Sequence, residues 1–369
     1  MAAYEVGGCA EPVAVLLTIP GKSVTFVVCN LINILGSMKM TRQSILSIVI
    51  LILCLGSICF AAPSSGTDQM PGVWGEFGKE YTIGGDSPMN FALKSAEFTV
   101  SQVKMGEELF FPTASEKFLV LHFTAHNPQK TEHKTAWSTF KFTAVDANSQ
   151  SWEYANKIAL EKDSGLFSVG LKPAQKVDAY TFIRMPADAI IPKLIVYRGE
   201  KNPVVRFDMK EKIKPLAEPY ADPADKTGSI ALTEVPSQLD TYYPLGFFDM
   251  KVIGASYTDQ PVIKEKPAAG YRFMVVTVTI KNMNPKDRSV ARSTFIPKLV
   301  ASDGEELKWK QELVHATRPE ALPGTVIKPN KELTARYFFA VRTDTPAKTL
   351  TIQEGLKGRV YAFDVSGVN

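Results

Sequence analysis

The chain has 369 residues, of which 45% are apolar and 22% charged, with 42 lysines and arginines against 38 acids. These ordinary proportions exclude a disordered, collagen-like or multi-span membrane chain. A surplus of +4 gives no electrostatic case for a nucleic-acid partner. The length suits about two domains.

Residues 38–61 have the three parts of a secretory signal peptide. Lys39 and Arg42 form a basic start. Ile45 to Leu55 is apolar with Ser47 as its polar interruption, and Cys59 and Ala61 occupy the −3 and −1 positions of a small-residue cleavage site. The alternative is an uncleaved anchor, because Ile45 to Ala62 is long enough to span with tilt. A lipoprotein is disfavoured, since Leu53 precedes Cys54 and Ile58 precedes Cys59 where a small residue is needed. Residues 1–37 are expected to be an over-called start, with Met38 or Met40 as initiator. A second apolar segment around Val24 to Leu35 is the other reading. Cys9, Cys29, Cys54 and Cys59 all precede the expected cut. The exported chain then has no disulfide, thiolate metal site or cysteine nucleophile, and folds on its apolar core alone.

After a leader at 62–85, rich in Gly, Ser and Pro, the sequence repeats itself at an offset of about 155 residues, a domain length and not a solenoid period. Lys117 to Thr124 resembles Arg272 to Thr279, Asn127 matches Asn282, and Ser138-Thr139-Phe140 recurs as Ser293-Thr294-Phe295. Leu171-Lys172-Pro173 recurs as Ile327-Lys328-Pro329, and Phe207-Asp208-Met209 as Phe363-Asp364-Val365. Upstream, Pro88 and Phe91 are matched to Pro244 and Phe247. This predicts two copies of one fold, at 86–212 and 241–369. Between them runs a Pro-rich linker, 213–240, with one short strand expected at Ser229 to Leu232. Proline resists helix and central strand there.

Each copy reads as β. Phe118 to Ala125 and Phe273 to Ile280 alternate apolar with polar residues and end in Asn-Pro turn chemistry. Thr139 to Asp146 and Phe295 to Ala301 run into turns at Ala147-Asn148-Ser149 and Ser302-Asp303-Gly304. Trp152 and Trp309 are expected as core anchors on the returning strands. Lys176 to Arg184, Leu194 to Tyr197 and Val204 to Asp208 follow, paired in the second copy with Leu333 to Val341, Thr349 to Ile352 and Val360 to Asp364. Short strands with turn signals between them imply an all-β fold of two tandem immunoglobulin-like antiparallel β-sandwiches after the N-terminal signal helix.

The strand Tyr271 to Asn282, Thr294-Phe295, the Ser302-Asp303-Gly304 turn and the turn at Lys328 to Lys331 together resemble a bacterial family. This is the telokin-like, immunoglobulin-like extracellular domain family, the group with mycobacterial immunoprotective antigen. The first copy departs from it at Asp146-Ala147-Asn148 and Lys172 to Gln175. The resemblance implies a secreted or surface-exposed sandwich and carries no catalytic residues.

Candidate chemistry is sparse. His122 and His126 lie on one strand face about 13 Å apart, too far to share a metal ion with bonds near ~2 Å. His133 falls in a loop, and His315 has no counterpart in the first copy. Met89, Met105, Met185 and Met209 are too scattered for a copper site. Asp146-x-Asn148 and Asp303-Gly304-Glu305 lack the ligands of a calcium shell, and hairpin turns account for them. No Gly-x-Ser-x-Gly elbow, phosphate loop or zinc helix occurs. Lys193, Arg198, Lys201, Arg206, Lys210, Lys212 and Lys214 form a loose basic group interleaved with Glu200, Asp208 and Glu211. A solvated surface is the plain reading, and a polyanion or cell-wall contact the sharper one. Tyr242, Tyr243, Phe247 and Phe248 beside the linker either face a partner or the other domain, or pack; packing is favoured because Phe247 is matched to Phe91.

No catalytic, cofactor or metal residue is assigned, and no cofactor is implied. The expected function is a secreted or surface-exposed, non-enzymatic binding protein whose partner is an extracytoplasmic protein or a cell-envelope ligand. The membrane is involved only through the signal segment if uncleaved. A periplasmic metal-handling protein and a hydrolase with its site at the domain interface are the alternatives.

Overall fold

In the computed structural model the described residues are the strands Ala14–Ile19 and Lys22–Val27, taken as backbone, and residues 71–199, 202–307 and 312–368. The two early strands pair antiparallel, Ala14 opposite Val27. The expected signal peptide 38–61, residues 62–70 of the leader, Lys201 and Trp309 lie outside the described residues. Met70–Asn369 form one compact unit. Its described part is all-β, without a helix, and contains two sandwiches.

The first sandwich packs a five-stranded sheet on a six-stranded one. The five-stranded order is Ser151–Glu153, Lys141–Val145, Lys193–Tyr197, Val204–Asp208, Gly72–Gly75. The six-stranded sheet is built around Glu116–His126, flanked by Lys176–Pro186 and Met89–Thr99. The second sandwich repeats the plan. Glu234–Ser237, Val360–Asp364, Ala347–Glu354, Phe295–Ala301 and Glu306–Leu307 face a sheet centred on Tyr271–Asn282, between Phe248–Thr258 and Glu332–Arg342. Inward faces make one apolar core each, with Phe91, Phe123, Phe142 and Phe207 in the first and Met274, Val276, Tyr337 and Phe339 in the second.

Alternation along the central strand breaks near its start, where Phe118 to Leu121 are all buried. Leu119 and Leu121 point into the main core. Phe118 and Val120 enter a second, smaller cluster with Val103, Met105 and Phe182 on the outer face. The second sandwich does the same with Phe273, Val275, Phe338 and Val262.

Two sequence matches are corrected by the ladders. Phe91 stands opposite Ala125, and Met250 stands opposite Ile280, so Met250 and not Phe247 is the counterpart of Phe91. Both strands carry a bulge at the same place, between Leu93 and Ser95 and between Val252 and Gly254. Loops of different length around these strands shift the spacing and made the Pro88–Pro244 and Phe91–Phe247 matches coincidental. The structure also contains parallel pairs at the edges. Gly72–Gly75 runs parallel to Val204–Asp208, and Glu234–Ser237 parallel to Val360–Asp364.

Strands Gly72–Gly75 and Tyr81–Ile83 fall inside the expected leader but belong to the first sandwich. The Pro-rich segment is equally engaged. Ile213–Lys214 pairs with Ala96 and Glu97, Leu216 and Ala231 enter the first core, and Val235 enters the second. The strand expected at Ser229 to Leu232 is a single bridge at Ala231, and pairing begins at Glu234. Trp152 is half-buried. Its ring packs against the first core, and its indole N–H donates to Asp146 in the turn at 2.9 Å.

Asn127 and Asn282 are fully buried and make equivalent bonds. Asn127 Nδ2 donates to the carbonyls of Leu171 (2.7 Å) and Thr131 (2.9 Å), and Asn282 Nδ2 to those of Ile327 (2.7 Å) and Lys286 (2.9 Å). Each side chain thereby ties the end of the central strand to the Lys-Pro turn, satisfying carbonyls that burial would leave orphaned.

Candidate functional site

The four histidines of the chain are kept apart. His122 Nδ1 meets Glu161 at 2.5 Å, and His126 Nδ1 meets Glu80 at 3.0 Å. These pairs belong to a polar lattice on the outer face of the six-stranded sheet, with Lys94 and Thr124 both on Asp178 and Lys176 on Glu80. Burial pushes the Glu80 carboxyl up, but hydrogen bonds from His126, Lys176 and Asn90 outweigh it and hold it below the usual range. The Thr124 hydroxyl, then Lys94, holds Asp178 low. His315 contributes its carbonyl to Arg336 at 2.8 Å. Among the described residues no group of three His, Cys, Asp or Glu stands close enough to hold a metal ion. No helix among them is long and apolar enough to cross a membrane.

His133 joins a different arrangement, at one end of the first sandwich. Arg198 Nε donates to the Ser87 carbonyl at 2.8 Å and Nη1 to that of Thr139 at 3.0 Å. Nη2 reaches the Ser87 hydroxyl at 3.2 Å and His133 Nε2 at 3.0 Å. The guanidinium can only donate, so His133 Nε2 accepts and is unprotonated. Burial, then the adjacent Arg198 charge, lowers the His133 pKa accordingly. Burial alone lowers that of Arg198, which has no ion pair among the described residues. Gly84 makes the arrangement possible. Its φ is +107°, and a Cβ there would lie 2.3 Å from Arg198 Cδ. Lys134, Ser138 and Asn202 complete an open notch.

The second sandwich has the same notch in inverted charge. Gly246 takes the place of Gly84, with φ +62°, and Glu354 takes the place of Arg198. A Cβ on Gly246 would lie 2.6 Å from the Glu354 carboxyl carbon. Burial raises the Glu354 pKa. This notch is covered. Val100, Phe111, Pro112 and Thr113 of the first sandwich line it.

Around that covered notch the two sandwiches are bonded together. Gln102 Nε2 donates to the Phe248 carbonyl (3.0 Å) and to Asp249 (3.1 Å), and the Ala114 amide donates to the Lys357 carbonyl (2.9 Å). Buried Arg359 donates to the carbonyls of Glu116 (2.7 Å), Thr113 (3.3 Å) and Leu232. Phe247, expected to pack as the counterpart of Phe91, does pack at the margin of the second core and also meets Phe111 of the other sandwich. Arg288 stacks on the Phe247 ring, 3.7 Å from its centroid.

In sequence Arg198 belongs to a loose basic group, Ser138 stands out only as part of a repeat, and Gly84 and Ser87 carry no signal of their own. A register-true alignment, setting Arg198 opposite Glu354, carries the signal that finds them.

The protein is thus an all-β chain of two sandwiches. No family model matches it, and no curated protein matches it. Among solved structures it is similar to an uncharacterized β-sandwich protein of Clostridium difficile 630, at 14% identity and a TM-score of 0.29, over 38% of this chain and 96% of that one. It is similar to the secreted protein MPT63 of Mycobacterium tuberculosis, at 17% identity and a TM-score of 0.28, over 36% of this chain and 97% of that one. It is also similar to the YjhA protein of Bacillus subtilis, at 14% identity and a TM-score of 0.23, over 34% of this chain and 96% of that one.

Proposed function

We propose that this is an exported, non-enzymatic binding protein made of two duplicated immunoglobulin-like sandwiches, and that the open notch of the first is its ligand-binding surface. One observation carries the reading. The equivalent notch of the second sandwich is walled over by Val100 and the Phe111 to Thr113 segment, so protein already packs across this end in one of the two copies. In the first sandwich the same place is open and carries Arg198, Lys134, Ser138 and His133. A concave end held by a rigid scaffold is where sandwiches place recognition. The signal-like segment 38–61 puts the ligand outside the cytoplasm, as an envelope component or an extracytoplasmic protein.

The test is capture from an envelope fraction with residues 62–369 as bait, beside a Ser138→Trp variant that fills the notch. The expected result is a component retained by the parent chain, competed by soluble chain and lost with the variant. Equal retention by both, or hydrolytic activity abolished by changing one histidine or acid, overturns the reading.

A further inference from the structure

The edge strands of the two sandwiches differ in a way that their shared register makes directly comparable. Trp74 stands opposite Arg206, and Pro236 stands opposite Ala362, the equivalent position. Likewise Val73 pairs with Val205 and Val235 with Tyr361. In the second sandwich the edge is guarded. Pro236 has no N–H to offer, Glu234 brings a charge, and Val235 is fully buried. Proline and charge are the usual ways in which an edge strand avoids pairing with another chain. The first sandwich has neither. Its edge reads Gly72-Val73-Trp74-Gly75, with Val73 54% and Trp74 63% exposed.

The free side of this strand follows from its ladder. The Pro71 carbonyl accepts the Val204 amide at 2.9 Å. In a parallel ladder alternate residues bond the same neighbour, so Val73 and Gly75 also face Val204–Asp208. The N–H and C=O of Gly72 and Trp74 therefore point to the open side. Among the described residues no strand pairs there.

The groove beside Trp74 supplies the charge. Lys193, Lys210 and Lys212 line it, and none has an ion pair among the described residues. Its two acids are already engaged. Asp146 accepts from the Asn148 and Gln150 amides and the Trp152 indole, and Asp208 accepts from the Lys210 amide.

The geometry points to strand Gly72–Gly75 as a β-augmentation site for an extended acidic peptide. The peptide adds a strand to the five-stranded sheet, bonding the outward groups of Gly72 and Trp74. Its apolar residues pack on Trp74, and its carboxylates meet Lys210 and Lys212, whereas Lys193 stands two strands further in, opposite Asp208. A second copy of this chain is disfavoured as occupant, because antiparallel edge-to-edge pairing would bring two such lysine groups together. This site is separate from the Arg198 notch and stands or falls independently of it.

The test uses residues 62–369 and a labelled synthetic peptide alternating valine with glutamate, beside one alternating valine with lysine. Trp74→Pro removes the outward donor, and Pro236 shows that the fold accepts proline at that position. A Lys210→Glu/Lys212→Glu variant keeps the edge and inverts the charge. The glutamate peptide is expected to bind, to weaken with salt, and to lose about tenfold in affinity with either variant. The lysine peptide is expected to bind at least about tenfold more weakly than the glutamate peptide. No binding of the glutamate peptide, or unchanged binding by both variants, overturns the proposal. So does a dimer of the parent chain in sedimentation that Trp74→Pro dissolves, because the occupant is then a second copy.

Discussion

The ring of Phe111 meets that of Phe247 edge-on, with centroids 4.8 Å apart and planes at 80°, and this contact crosses from the first sandwich to the second. Arg288 lies over the Phe247 ring, 3.7 Å from its centroid, so three side chains from two sandwiches meet at one ring. Such a pair is worth about 0.5–1.5 kcal/mol beyond the area that it buries. Phe111→Ala is therefore expected to lower stability by roughly 2–3 kcal/mol. It is also expected to split one calorimetric transition into two as the sandwiches uncouple. A single unshifted transition would show that the contact holds nothing together.

The buried amides make a paired prediction. Asn127→Ala and Asn282→Ala each strip one buried and one part-buried carbonyl of their donor, at a cost of roughly 1–3 kcal/mol. Denaturant unfolding of each variant is expected to show similar losses, because the bonds are the same in both sandwiches. A large loss in one and none in the other would contradict their equivalence.

Among the turns with non-glycine residues in the left-handed region, two can be compared directly between the sandwiches. Ser149 has φ +64° where the second sandwich has Gly304 at +90°, and Ala174 has φ +62° where it has Asn330 at +60°. Ser149→Gly removes a Cβ penalty and is expected to raise stability by about 0.5–1 kcal/mol. Ala174→Asn is expected to act in the same direction. A fall in melting temperature for both would refute the backbone argument.

Lys117 gives a pH dependence with a defined sign. Its ammonium is buried against the Phe98 ring and donates to the carbonyls of Ala189 (2.7 Å) and Ser229. Burial pushes its pKa down to about 8 from the ordinary 10.5, against the opposing pull of Asp188 and Asp225. Between those values the unfolded chain holds the proton and the folded chain releases it. Stability from this group therefore rises with pH across that window and is flat below it. Relative to Lys117→Met, the parent chain is expected to gain roughly 2–3 kcal/mol between pH ~8 and ~10.5. The same slope in both chains would remove Lys117 as its source.

The long strands were legible because alternation and β-branched residues state them locally: Glu116–His126, Lys176–Pro186 and their counterparts run close to the expected spans. The edges were not. Gly72–Gly75 is too short and glycine-rich to show a period, and its place is set by pairing with residues far along the chain. The notch was hidden for a related reason. Arg198 is one of several basic residues in sequence, and only the fold sets it against Gly84 and makes it the counterpart of Glu354. Trp152 reads as a core residue by type and does pack on the first core, but its second contact, from the indole N–H to Asp146, is set by the fold of the turn.

Export itself is open to direct reading. The exported protein is expected to begin at Ala62, and N-terminal sequencing that returned residues before Met38 would contradict the assignment of 1–37.

The most direct measurement is site-specific photo-crosslinking in living cells, with the probe at Ser138 in the open notch and a control probe at Thr351 on the outer face of the second sandwich. A discrete adduct in the envelope from Ser138 alone is the result that a ligand-binding end predicts. No adduct, or the same adducts from both positions, would mean that the first sandwich offers no docking place at that end.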